Sequence, residues 1–83
     1  MRKTAISSED KQAIIESIEQ LINRVTSGRS GRMDIAGDEE IYRDRIPSSA
    51  TQSLIAAVGA DEDRMVLFHL QEALRSVKMM SVD

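Results

Sequence analysis

Ile14, Ile18, Leu21 and Val25 recur at intervals of four, three and four residues. That spacing gathers all four on one side of an α-helix but scatters them over both faces of a strand, so it selects the helix. Ile15 and Ile22 widen the stripe, while Lys11, Glu16, Glu19, Gln20 and Arg24 fill much of the remaining circumference. Ser7 and Ser8 are N-cap candidates ahead of it, and Glu9 and Asp10 suit the positive end of the first turn. Gly28 supplies the residue that tolerates a left-handed turn at the far end. These signals define a helix over 8–26, preceded by a frayed arm over 1–6.

A second periodic segment lies near the other end. Leu67, Leu70, Leu74 and Val77 follow a three, four, three spacing, and Val66, Ala73 and Met80 form an adjoining row at sevens. Asp61 is a cap candidate with Glu62 and Asp63 in the first turn, and Arg75 and Lys78 stand near the negative end. The expected helix is 61–80. Two shorter helices are expected between these. One covers 38–45, with Gly37 or Asp38 as cap, Ile41, Tyr42 and Ile46 inward, and Pro47 as its end. The other covers 49–58, where Ser49 and Gln52 have capping-box spacing and Leu54, Ile55, Ala57 and Val58 form the apolar face. Gly28, Gly31 and Gly37 fall close together, so residues 27–37 read as a flexible Gly/Arg loop with Met33 and Ile35 docked as an extended piece.

The fold class is therefore all-α: one small domain over 1–83, with the two long helices antiparallel and helix 49–58 covering one side of their groove. The 83 residues are 41% hydrophobic and carry a net charge of −3. A chain of this size buries only about 60–65% of its unfolded surface. The apolar arc of the last helix is wider than such a monomer readily hides, which leads to an expected homodimer with that helix at the interface.

Composition removes several functions. There is no cysteine, so disulfides, thiol chemistry and Cys-based zinc sites are excluded. A single histidine cannot build a His-rich zinc site. No apolar run reaches the roughly 20 residues that span a bilayer, and no signal-peptide core follows Met1-Arg2-Lys3. The expectation is a cytoplasmic protein of bacterial or phage type, with no membrane, metal or cofactor.

The candidate sites follow from what is left. Arg24, Arg29, Arg32, Arg43 and Arg45 are possible anion-binding residues, since guanidinium groups grip phosphate and carboxylate in two-pronged fashion. Ion pairs with Asp34, Glu39, Glu40 and Asp44 are the competing explanation. The runs Asp38-Glu39-Glu40 and Asp61-Glu62-Asp63 lack EF-hand spacing and read as helix starts rather than cation sites. His69, between Phe68 and Leu70, has no evident catalytic setting. Met65, Val66, Phe68, His69, Ala73, Met79 and Met80 are the possible protein interface, because methionine-rich apolar surface adapts to partners. Helices 49–58 and 61–80 have the outline of a helix-turn-helix, but the acids at 61–63 would meet DNA phosphates.

Residues Ser49 to Val77, with Leu54-Ile55, Asp61-Glu62-Asp63 and Glu72-Ala73-Leu74, resemble in outline the C-terminal half of small enterobacterial biofilm and two-component connector proteins. The resemblance assigns no residue a role. The functional expectation is a small regulatory or adaptor protein, of inhibitor, anti-activator or connector type, that binds another protein and is not an enzyme. Binding of a small anionic ligand or nucleotide through the arginines, or of DNA as a transcriptional regulator, are the alternatives.

Overall fold

The computed structural model describes residues 7–28 and 32–81. The arm 1–6 and Arg29 lie outside the described residues, as does the side chain of Arg32. The described chain forms an all-α fold of four helices: α1 Ser8–Thr26, α2 Arg32–Tyr42, α3 Ser48–Gly59 and α4 Asp63–Lys78. Ser7 holds extended backbone angles and its Oγ accepts the Asp10 N–H at 3.0 Å, so α1 is capped as its sequence requires. Gly28 ends it with φ +82°, a conformation in which any side chain is strained.

α4 is the central element, packed against both α1 and α3, while α2 packs mainly on α3. Lys11 Nζ donates to the Met80 carbonyl at 2.8 Å, which sets the start of α1 beside the end of α4. The two are antiparallel, as expected. Ser49 Oγ donates to Ser76 Oγ at 3.2 Å and fixes α3 antiparallel to α4 in the same way. One continuous core results. Ile14, Ile15, Ile18, Leu21 and Val25 of α1 meet Val66, Leu70, Ala73 and Val77 of α4, with Ala50, Leu54 and Ala57 of α3 and Ile35 of α2 completing it. Alanines at 50, 57 and 73 leave room for close helix approach.

The largest correction concerns residues 32–37. They are helical, not loop, and the short helix runs six residues earlier than the expected 38–45. Ile35, Glu39 and Tyr42 share one helical face, and Ile35 is fully buried. Burying an isoleucine is worth about 1.5–3 kcal/mol, which exceeds the roughly 1 kcal/mol helix penalty of Gly37. The chain therefore accepts the glycine to bury Ile35. Arg43, Asp44 and Arg45 form a turn, closed by the Arg45 N–H on the Tyr42 carbonyl at 2.8 Å.

The starts of α3 and α4 also differ from expectation. α3 begins at Ser48 with Pro47 as its N-cap, and no side chain caps it, because proline carries no side-chain acceptor; Ser49 lies inside the helix, its hydroxyl donating to Ser76. α4 begins at Asp63 with Glu62 as N-cap, so Asp61 lies one residue too early to cap. The Glu62 carboxylate accepts from Arg64 Nε at 2.8 Å instead of bonding the helix end. Among the described residues no helix is long and apolar enough to cross a membrane.

Candidate binding surface

The expected interface residues separate into two groups. Val66 and Ala73 belong to the core, at 1% and 0% exposure, and are corrected out of any surface. They lie on the side of α4 that faces α1 and α3, together with Leu70 and Val77. Leu67, Leu74 and Met80 pack against the core edge. The bundle thus hides more of α4 than its sequence implies. What remains outside is Met65, Phe68 and Met79, with Phe68 still 51% exposed.

His69 lies next to Phe68, ring centroids 5.3 Å apart and nearly perpendicular, an edge-to-face contact. It also lines an open groove of ≈ 540 Å³ at the corner between α3 and α4. Ala56 lines this groove with a methyl group and Gly59 with bare backbone, Met65 adds an apolar side chain, and Asp61 and Glu62 are its charged residues. The groove exists because α3 ends in small residues beside the first turn of α4, so the two helices leave a gap that no large side chain fills.

Among the described side chains, Arg24 and Arg43 hold different carboxylates and do not share one site. Arg24 pairs with Asp34 across α1 and α2 at 3.4 Å. Arg43 holds Glu39 with both prongs, Nε on Oε2 and Nη2 on Oε1, each 2.8 Å. Arg45 lies exposed in the turn before Ile46. An external anion at Arg24 or Arg43 competes with a resident carboxylate.

Glu39 is the one buried charged side chain among the described residues. The Arg43 hydrogen bonds hold its pKa below the ordinary carboxylate value, burial opposes them, and the guanidinium charge adds to the lowering. Glu39 falls in an expected helix start. The i,i+4 spacing from Ile35 to Glu39 and from Glu39 to Arg43 is the signal for its pairing, and the glycines of 28–37 obscure it. Asp38 shifts the other way: partial burial raises its pKa, Asp34 adds to the rise, and Arg24 counters it. These carboxylates lie in mid-helix, so the expected helix-start role of Asp38-Glu39-Glu40 is also corrected. No cluster of three or more metal-ligating side chains occurs among the described residues.

Comparison with protein-family models, with curated proteins and with solved structures finds no match to this chain.

Proposed function

We propose that this protein is a small regulatory or adaptor protein that acts by binding another protein, not an enzyme, and that the groove between α3 and α4 receives that partner. The observation that carries the reading is the groove itself: Met65, Ala56 and Gly59 offer apolar contact beside the Asp61 carboxylate, while Glu62, which also lines it, is paired with Arg64. Such a surface suits an apolar side chain flanked by basic residues, since opposite charge steers the encounter and apolar burial holds it. The arginine reading has less support, because Arg24 and Arg43 already hold carboxylates. A DNA-binding reading meets repulsion from Asp61 and Asp63 at the start of α4.

The test is affinity capture from host extract with wild-type protein and with Met65→Arg. Met65 is 41% exposed, so the substitution spares the core. A partner retained by wild type, lost with Met65→Arg and bound directly after purification supports the reading. Capture of nothing, or equal capture by both proteins, counts against it.

A further inference from the structure

Beyond the groove, the outer face of α4 carries a pattern that the core does not use. Met65, Phe68, Glu72, Arg75 and Met79 follow one another at intervals of three, four, three and four. This is the seam spacing of a coiled coil, and it lines up on the side of α4 turned away from the buried Val66, Leu70, Ala73 and Val77. Phe68 and Met79 are exposed at 51% and 78%, and Met79 continues the helical spiral, its N–H bonded to the Arg75 carbonyl at 3.1 Å. The side chains of Glu72 and Arg75 have no hydrogen-bond or ion-pair partner among the described residues.

The order Phe68, Glu72, Arg75, Met79 is complementary to its own reverse. Placed antiparallel to a copy of itself, apolar meets apolar and acid meets base. We propose that α4 pairs with α4 of a second copy across a two-fold axis between Ala73 and Leu74, stacking Phe68 on Met79 of the other copy and Glu72 on its Arg75. This proposal shares with the functional reading the premise that α4 presents a protein-binding surface.

Each layer has a physical basis. Phe68 against a methionine gives a sulfur–aromatic contact, made twice by symmetry. Glu72 against Arg75 gives a charge-assisted pair, also made twice. Antiparallel alignment opposes the helix dipoles favourably, which parallel alignment does not. The alternatives fail on charge. A parallel pair stacks Glu72 on Glu72 and Arg75 on Arg75. An antiparallel pair centred on Glu72 sets the two Glu72 carboxylates together. A slip of one heptad in the same direction sets Phe68 on Glu72 and Met65 on Arg75, and one in the opposite direction sets Arg75 on Met79. Only the register centred between Ala73 and Leu74 satisfies all four positions.

Four positions per helix make a contact smaller than the standard protein interface, so the dimer is expected to be weak, in the micromolar range or above. Sedimentation equilibrium on the full chain, run from micromolar to millimolar concentration, is expected to show a monomer–dimer equilibrium. Glu72→Arg and Arg75→Glu each set like charges opposite one another twice and are expected to weaken it at least about tenfold. The double swap, Glu72→Arg with Arg75→Glu, rebuilds the pair in reverse and is expected to recover most of the affinity. Circular dichroism on each variant separates lost pairing from lost folding.

The cysteine-free sequence allows a second readout that does not depend on charge. Phe68→Cys and Met79→Cys proteins, mixed and oxidised, are expected to crosslink to each other more readily than Phe68→Cys to itself, since a disulfide needs the two backbones within about 7 Å. A monomer at every concentration, a double swap no better than either single, or a dominant 68–68 crosslink overturns the pairing. A monomer that still captures a partner protein leaves the functional reading standing. A dimer that captures none does the reverse.

Discussion

Ile35→Ala tests the feature that most separates the structure from its sequence. Ile35 is 0% exposed in a segment whose glycines resemble a loop. The substitution removes three buried carbons, worth about 0.8 kcal/mol each, and leaves a cavity that the surrounding helices close only in part. The expected loss is about 2–5 kcal/mol. For a domain of this length each kcal/mol moves the melting temperature by about 4–8 °C, so the fall is about 8–40 °C. Met33→Ala, two residues away and 86% exposed, serves as the control and is expected to change stability by less than about 0.5 kcal/mol. Urea unfolding followed by circular dichroism measures both, with the slope checked for constancy. If Ile35→Ala costs no more than Met33→Ala, then α2 is not anchored by Ile35, and the account of why residues 32–37 are helical is wrong.

The remaining predictions concern caps, glycines and one buried carboxylate. Gly37→Ala is expected to stabilise by about 0.5–1 kcal/mol, because Gly37 is helical and an added methyl meets nothing within 4 Å; Gly28→Ala has equal space but φ +82°, and is expected to destabilise by about 1 kcal/mol in the same urea titration. Ser7→Ala is expected to cost about 1 kcal/mol through the lost cap on α1, whereas Ser49→Ala, whose hydroxyl caps nothing, is expected to cost under about 0.5 kcal/mol by thermal melting. Glu39 has a folded pKa below its unfolded one, so its stabilising contribution is present above pH 4.5 and is lost as pH falls through the folded value. Arg43→Leu is therefore expected to lower stability at neutral pH, with the gap to wild type narrowing as pH drops below 4.5; a gap independent of pH contradicts the pairing.

Much of this fold is legible in the amino-acid sequence. The four, three, four spacing in α1 and the three, four, three spacing in α4 each admit one regular structure, and both helices occur where the apolar stripes lie. Ser7 and Gly28 punctuate α1 as local chemistry requires. The short helices were less legible because their ends depend on distant partners. Ser49 has the spacing of a cap but finds Ser76, 27 residues away, and leaves the helix end to Pro47.

The candidate surface divides in the same way. Sequence could mark Met65, Phe68 and Met79 as apolar, but not separate them from Val66 and Ala73, since both groups belong to one broad arc. That separation depends on where α1 and α3 lie against α4. The arginines show the same dependence: Arg24 and Arg43 carry equal charge in the sequence, yet one bridges two helices and the other locks a buried glutamate.

Hydrophobic period acts within a few residues, so the helical class and the two long amphipathic elements are legible in the chain alone. Only the packed bundle puts residues 32–37 into a helix, leaves one side of α4 in water and buries Glu39. Each of those outcomes compares a local preference with the burial energy of contacts made far along the chain, and that energy exists only once the helices have met.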